Sequence, residues 1–188
     1  TVFNSLTGLK QHTGNWPGKT VVNAQGKYKY KDKKFIMVDL PGTYSLMANS
    51  VEEEVARDFI CFGIPEVTVV VLDATCLERN LNLALQILEI TKNVVVCVNL
   101  IDEANRKGIK IDLRKLQELL GVPVVGTNAR DGIGLNELKE VVYQVALDNI
   151  DSNPSTTVYS DAIENAVRFL QPSIEDSIDQ VIPYRWFA

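Results

Sequence analysis

The sequence predicts an α/β fold, a doubly wound and mostly parallel sheet followed by a small C-terminal helical domain. Residues 67–72 and 94–98 are near-continuous β-branched runs, which are typical of strands buried on both faces of a parallel sheet. Apolar stripes at helical spacing lie between and after these runs. This alternation implies right-handed crossovers, which bring the carboxyl ends of the strands to one edge.

The first elements differ in character from this core. Residues 2–6 have helical apolar spacing, and Gly8 provides a stop. Residues 21–30 alternate partly and precede a short apolar run at 35–38, so we expect a hairpin. A sheet that begins with a hairpin and continues with parallel strands is of mixed type.

Helices are predicted between the later strands. Ser50 and Glu53 match a capping box, so a helix is expected to begin near residue 51. A shorter apolar run at 123–126 predicts the last strand. Three further helices are predicted by the stripes Leu77, Leu81, Ala84, Leu85 and Leu88; Leu113, Leu116, Leu119 and Leu120; and Leu135, Leu138, Val141, Val142 and Val145.

The chain divides after its last core helix. Residues 148–157 are a polar linker, and residues 162–170 have the spacing of a short helix. Pro172 is expected to begin a second helix, because proline fits the first helical position. The predicted domains are therefore 1–147 for the α/β part and 158–188 for the helical part.

Composition limits the classes of function. The 188 residues are 46% apolar and 23% charged, as in ordinary globular proteins, and the net charge of −5 argues against nucleic-acid binding. The three cysteines are too widely spaced for a zinc motif. Lysines crowd residues 27–34, and a solvated hairpin is the simplest explanation for them. No apolar run reaches the ~20 residues of a membrane span.

Asp39-Leu40-Pro41-Gly42 carries the first chemical signal. It follows an apolar run, and Asp-x-x-Gly at a strand end is typical of the Mg²⁺ and γ-phosphate sensor of P-loop GTPases. The Asp39 carboxylate can hold a Mg²⁺-bound water. The Gly42 N–H can approach a terminal phosphate because no Cβ blocks it. Taken alone the motif also fits an ordinary strand-to-loop turn.

Two later strand ends give that motif its weight. Asn99 and Asp102 follow one strand, and Thr127-Asn128-Ala129 follows the next. A carboxylate at Asp102 can accept from N1 and N2 of guanine, whereas adenine cannot supply that pair. We expect Asn99 to bridge the base to neighbouring loops and the Ala129 N–H to meet guanine O6. The alternative for Asn99 and Asp102 is capping of the next turn.

A glycine-rich segment at residues 11–21 precedes the hairpin. A segment in this place can be a switch that becomes ordered when γ-phosphate and Mg²⁺ arrive. Thr20 is its candidate ligand, through its hydroxyl to Mg²⁺ and its N–H to the phosphate. The alternative is a threonine that opens a strand.

The phosphate loop itself, Gly-x-x-x-x-Gly-Lys-[Ser/Thr], occurs nowhere in the 188 residues. We expect the first strand and this loop to lie upstream of Thr1. Because that loop supplies most phosphate contacts, the printed chain is expected to bind nucleotide poorly.

Several strings resemble one family. Phe3-Asn4-x-Leu6-Thr7-Gly8, Gly14-Asn15-Trp16-Pro17-Gly18, Asp39-Leu40-Pro41-Gly42-Thr43-Tyr44-Ser45 and Asp73-Ala74-x-x-Leu77-Glu78-Arg79-Asn80 look like the cytosolic domain of the bacterial ferrous-iron transport protein B family. Gly108-Ile109-Lys110-Ile111-Asp112 and the Arg185-Trp186 ending resemble it as well. The resemblance covers essentially the whole chain.

The resemblance implies a function and a setting. It implies GTP or GDP and Mg²⁺ as ligands, a helical domain that modulates nucleotide release, and a membrane channel beyond Ala188 at the cytoplasmic face of the bacterial inner membrane. It leaves room for K⁺ and for a homo-oligomer. The expected function is slow GTP hydrolysis that regulates ferrous-iron uptake.

Two alternatives stay open. One is a nucleotide-sensing module with little hydrolysis. It remains because Thr43 stands where many small GTPases carry a water-orienting glutamine. The other is a related GTPase in RNA modification or ribosome assembly, although its expected basic extension is not seen in the sequence.

Overall fold

A computed structural model describes residues 2–8, 11–16, 21–47, 49–175 and 183–187. It shows a mixed α/β fold built on two three-stranded sheets, and the predicted fold class is confirmed. The strands are β1 (Gln11–Asn15), β2 (Val22–Tyr30), β3 (Lys33–Asp39), β4 (Thr68–Asp73), β5 (Val94–Asn99) and β6 (Val124–Thr127). The helices are α1 (Val2–Thr7), α2 (Val51–Phe62), α3 (Leu77–Leu88), α4 (Ile101–Arg106), α5 (Leu113–Leu120), α6 (Leu135–Ala146), α7 (Asp161–Glu175) and α8 (Tyr184–Phe187).

The first sheet is antiparallel, in the order β1-β2-β3. The predicted hairpin is confirmed, with Tyr28 opposite Phe35 and Lys29 opposite Lys34. Part of the segment predicted as a switch is a strand, because Gln11–Asn15 pairs with β2 from Gly26 back to Val22. The ladder places Asp39 at the carboxyl end of β3.

The second sheet is parallel, in the order β4-β5-β6. All six residues of β5 are buried, which explains why the five before Asn99 are apolar. Asp73 pairs with Asn99, and Asn99 pairs with Thr127. The carboxyl ends of the three strands are therefore aligned at one edge, as predicted. The loops that carry the candidate site residues follow them there.

A cavity of about 1050 Å³, here called the central slot, lies between β3 and β4. Within the described ranges no strand pairs with the facing edges of β3 and β4, so their backbone groups border the slot. Apolar side chains line it from both layers, among them Phe3, Leu6, Phe35, Met37, Val69, Val71, Leu138 and Val142.

The hairpin is held to α6 by a group of polar contacts, here called the hairpin clamp. The Tyr30 hydroxyl donates to Glu140 Oε2 at 2.8 Å, and Lys31 Nζ lies 2.6 Å from the same oxygen. The Lys31 amine also sits 4.7 Å from the centroid of Tyr143, whose hydroxyl donates to Asp32 at 2.9 Å. These contacts join the antiparallel sheet to a helix that packs on the parallel sheet.

The C-terminal part docks at the end of α3. Arg185 forms a two-nitrogen ion pair with Glu164 of α7, at 2.6 and 2.9 Å. The Tyr159 hydroxyl donates to Glu89, the residue after α3, at 2.8 Å. Trp186 packs against the main core cluster. The helical segment is thus bonded to the α/β part at several points.

The prediction that Pro172 begins a second helix is wrong. One helix, α7, runs through Pro172 to Glu175. Proline here lies within the last turn, so its missing N–H removes only one bond near the helix end. None of the helices in the described ranges is long and apolar enough to cross a bilayer.

Candidate functional site

Asn99 joins two strand ends at the carboxyl edge of the parallel sheet. It is buried, and its Oδ1 accepts from the Thr127 hydroxyl at 3.0 Å and from the Ala129 N–H at 3.1 Å. The Thr127 hydroxyl also lies 3.3 Å from Cys97 Sγ. The amide oxygen of Asn99 thus ties the β5 and β6 loops together, while its predicted contact with a guanine base stays a prediction.

Asp102 lies in the first turn of α4, one turn after Asn99. Its Oδ2 accepts from Arg106 Nη2 at 3.1 Å, while its Oδ1 is buried and has no hydrogen-bond partner. A buried carboxylate oxygen without a partner is costly, and a ligand with two N–H donors can satisfy it. Capping does not explain this oxygen, because no backbone N–H of α4 donates to it.

Leu100 stands between these two residues in the left-handed region, at φ 65° and ψ 34°. This conformation is unfavourable for a leucine, and it turns the chain sharply from β5 into α4. The sequence does not predict this conformation at Leu100. No local signal marks it, since glycine or asparagine is the usual occupant of that region.

The loop of Thr127, Asn128 and Ala129 is held on several sides. The backbone of Asn128 exchanges hydrogen bonds with Ile133, and its side chain donates to Asp131. The Ser5 hydroxyl of α1 donates to the Ala129 carbonyl at 2.8 Å, a contact 124 residues apart that sequence reasoning missed. The Ala129 N–H, expected to meet guanine O6, has Asn99 as its partner within the protein.

The residues expected to meet phosphate are more open. Asp39 is exposed at the end of β3, and among the described residues no hydrogen bond or ion pair holds its carboxylate. Lost hydration nevertheless raises the pKa of Asp39 above its ordinary value. A cation would offset that cost. Gly42 is exposed, and a Cβ built on it meets nothing within 4 Å.

The structure brings some of the predicted residues together. Asp39, Gly42 and Asn99 line the same central slot. Thr20 lies outside the described residues. Within the ranges described, no group of three or more His, Cys, Asp or Glu could hold a metal ion. Of the two predicted metal ligands, Thr20 and Asp39, the structure describes only Asp39, whose side chain is exposed.

Helix α3 anchors the loop that follows Gly42. The guanidinium of Arg79 sits 4.0 Å above the Tyr44 ring, and the Leu46 N–H donates to Gln86 Oε1 at 2.7 Å. Leu46 is buried at this point. Thr43 turns back on its own loop, since its hydroxyl donates to the Ser45 carbonyl. No pattern in the sequence predicts these long-range contacts.

Comparison with known proteins decides the family. A family model described as ferrous iron transport protein B matches residues 1–142. The chain belongs to the ferrous iron transport protein B family. It is 36% identical over 197 residues to the Fe(2+) transporter FeoB of Salmonella typhimurium. That match covers 100% of this chain but 24% of the relative, so the chain spans about a quarter of the curated relatives it matches.

Solved structures of ferrous iron transport protein B domains share the fold. The chain resembles the cytosolic domain of the T. maritima FeoB iron transporter in a GDP form, with a TM-score of 0.93 and 39% identity. It resembles the GMPPNP form of that domain with a TM-score of 0.92 and 38% identity. Each match covers 99% of this chain and 73% of the other.

Proposed function

We propose that this chain is the guanine-nucleotide-binding domain of a ferrous-iron transporter. The observation that carries the proposal is the unpartnered, buried Oδ1 of Asp102, which lies three residues from the Asn99 junction. Guanine offers two adjacent N–H donors that would satisfy both carboxylate oxygens, in exchange for the Arg106 contact. Relatives of the family solved in GDP and GMPPNP forms add support.

Phosphate and Mg²⁺ are assigned to the other end of the site. Asp39 would hold a Mg²⁺-bound water, and its raised pKa and lack of a described partner fit that role. The Gly42 N–H would approach the γ-phosphate, since nothing crowds this glycine. Thr20 is proposed as a further ligand of Mg²⁺ and as part of a switch. When bound, Mg²⁺ neutralises charge on the phosphates.

The central slot has room for the strand that is proposed to carry the remaining phosphate contacts. An extended strand placed there would pair with the free edges of both β3 and β4 and cover the apolar lining. The strand and phosphate loop expected upstream of Thr1 suit this position, because a loop at that strand's carboxyl end would lie beside Asp39 and Asn99. Residues 1–147 would then form the nucleotide domain and 158–188 the start of the helical domain.

Hydrolysis by such a domain is expected to be slow. Thr43 is engaged with its own loop and is too short to orient water as a glutamine does. Intrinsic GTPases turn over at rates on the order of 10⁻⁴ to 10⁻² s⁻¹, and we place this domain in that range. Its role would be to regulate iron passage through a membrane part that follows residue 188, at the cytoplasmic face of the membrane.

A competition titration tests the nucleotide assignment. A fluorescent GDP analogue would be titrated into the 188-residue chain and into a chain extended upstream by a relative's strand and phosphate loop. We expect tight binding only in the extended chain, with guanine nucleotides competing far better than adenine nucleotides. Equal competition by both bases would refute the proposed base recognition.

The engaged Thr43 hydroxyl also supports a second candidate, a sensing module that hardly hydrolyses. Single-turnover measurements on the extended chain, with Na⁺ and K⁺ compared, separate the two. A rate in the intrinsic range supports the slow enzyme. Binding without turnover in either cation supports the sensor.

A further inference from the structure

Three lysines share the outer face of the β2–β3 hairpin. Paired residues of an antiparallel ladder project to the same face, and residues two apart along a strand do so as well. Lys29 pairs with Lys34, and Lys27 pairs with Ile36. Lys27, Lys29 and Lys34 therefore form one cluster, here called the lysine face.

The lysine face carries unbalanced charge. The other two lysines of the hairpin have acidic neighbours, Lys31 beside Glu140 and Lys33 beside Asp32. The ion pairs found among the described residues include none for the three lysines of the face. Lys29 and Lys34 even stand directly opposite each other, an arrangement that repels. The chain as a whole has a net charge of −5, so the positive charge of the lysine face is opposite in sign to the net charge of the protein.

Nothing in the described structure covers this face. All three lysines are exposed, and Ile36 beside them is 66% exposed. A face of this composition attracts an anionic surface, because the protein places no acidic partner beside these amines and an external negative charge lowers their electrostatic energy.

The lysine face lies toward the edge of the molecule opposite the candidate site. The hairpin tip is bonded to Glu140 and Tyr143, in the middle of α6, a helix that starts after the carboxyl end of β6. At about 1.5 Å per residue, these contacts lie roughly 8 and 12 Å along the helix from that edge of the sheet.

The C-terminal segment docks toward the same edge. Tyr159 bonds Glu89, which follows the last residue of α3, and α3 begins just after the carboxyl end of β4. Arg185 holds this segment through Glu164. The hairpin tip and the C-terminal segment thus lie on one side of the molecule, and Asn99 and Asp102 lie on the other.

We propose that the lysine face binds the anionic phospholipid headgroups of a bilayer. The choice of lipid rests on the proposed function, in which a membrane part follows the C-terminal segment and so holds the bilayer near this edge. Each lysine close to an anionic bilayer contributes roughly five-fold in partitioning, so three contribute roughly 100-fold. The contact would orient the nucleotide site away from the membrane.

Vesicle sedimentation tests the proposal with the 188-residue chain. We would compare vesicles of phosphatidylcholine alone with vesicles of phosphatidylcholine and phosphatidylglycerol. The chain is expected to bind only the mixed vesicles and to be released by salt, which screens such contacts. The triple change Lys27→Gln, Lys29→Gln and Lys34→Gln should reduce binding roughly 100-fold.

A matched variant carries the same charge change at the nucleotide edge. Lys107→Gln, Lys110→Gln and Lys115→Gln removes three exposed lysines there and should leave vesicle binding unchanged. Circular dichroism checks that both variants fold. Equal loss in the two variants would overturn the proposal, as would no preference for phosphatidylglycerol or salt-resistant binding by the unaltered chain. Vesicle binding needs no nucleotide, so its failure is separable from failure of the proposed base recognition.

Discussion

The two ends of the candidate site are built differently. At the end proposed to hold the base, here called the base end, Asn99, Thr127 and Ala129 are 8%, 1% and 2% exposed and are bonded to one another. At the end proposed to hold phosphate, here called the phosphate end, Asp39 and Gly42 are exposed, and the chain around them is held by Arg79 and Gln86 from α3. The base end is thus formed by the folding of the parallel sheet, whereas the phosphate end needs further contacts to become fixed.

This difference suits one end to selecting the base and the other end to changing conformation when ligand binds. A buried loop whose residues are bonded to one another keeps its geometry whether or not a ligand is present, so it can select a base at little entropic cost. An exposed loop held by a few side chains can take more than one arrangement, which a switch requires. The predictions below change one end at a time.

Asn99→Ala should give the largest effect. It removes the acceptor of two hydrogen bonds and leaves the Ala129 N–H and the Thr127 hydroxyl without their partner. We expect the free energy of unfolding to fall by about 2–3 kcal/mol, measured by urea denaturation. Asn136→Ala, at an exposed position of α6, is the control and should change the free energy of unfolding by less than about 0.5 kcal/mol. A similar small loss for Asn99→Ala would mean that the base end is not preformed.

Asp102→Asn tests the ligand side of the same end. In the upstream-extended chain, GTP affinity should fall at least about ten-fold, or about 1.4 kcal/mol, because a donor replaces an acceptor opposite guanine. Xanthosine nucleotides should gain affinity. Glu103→Gln removes the other carboxylate beside Arg106 and should leave base preference intact. An unchanged preference for GTP in Asp102→Asn would remove the assignment of Asp102.

Acid should loosen the antiparallel sheet, which carries Asp39 at the carboxyl end of β3, before it loosens the parallel sheet. Hydrogen bonds from Lys31, Gln144 and Tyr30 lower the pKa of Glu140 from 4.5 to about 2. A lowered pKa means that the contribution of Glu140 to stability is full above about pH 4.5 and is lost as the pH falls toward 2.

Hydrogen exchange can follow this loss. Protection of β2 and β3 should fall relative to β5 across that range of pH. In Glu140→Gln the clamp is already weakened, so the difference between high and low pH should shrink. Glu137→Gln, one turn earlier and exposed, should behave like the unaltered chain. Equal loosening of both sheets in acid would show that the hairpin clamp does not stabilise the antiparallel sheet separately.

Gly42→Ala should have the smallest effect on stability. Its Cβ meets nothing within 4 Å, so the free energy of unfolding should change by less than about 0.5 kcal/mol. In the extended chain the same methyl group should weaken GTP binding more than GDP binding, which a paired titration measures. Equal weakening of both would remove Gly42 from the γ-phosphate contact.

The parts predicted well from sequence are those fixed by periodicity or by short motifs. β5 was recognised because burial on both faces requires a continuous apolar run, and the Ser50–Glu53 signal marked the start of α2. The Glu53 N–H does donate to Ser50 Oγ, at 3.2 Å. Asn99 is predicted as a site residue because three strand ends in order carry such loops, and its role at a base stays a prediction.

The parts that were missed depend on tertiary contacts. Ser5 meets Ala129, and Arg79 meets Tyr44, only because packing brings distant segments together. The left-handed Leu100 has no signature, since its conformation is imposed by β5 and α4 on either side. The continuation of α7 through Pro172 shows the same dependence, because one lost bond near a helix end is tolerated.

The central slot also has a consequence for the handling of the protein in solution. β4 presents Thr68-Val69-Val70-Val71-Leu72 along a free edge without a charge until Asp73, and Val71 is 45% exposed. Free apolar edges of this kind recruit strands from other molecules and lead to aggregation. The purified 188-residue chain is therefore expected to lose monomer as its concentration rises. A strand in the slot would cover this edge and prevent such pairing. The fraction of monomer at high concentration would therefore show whether the slot is filled.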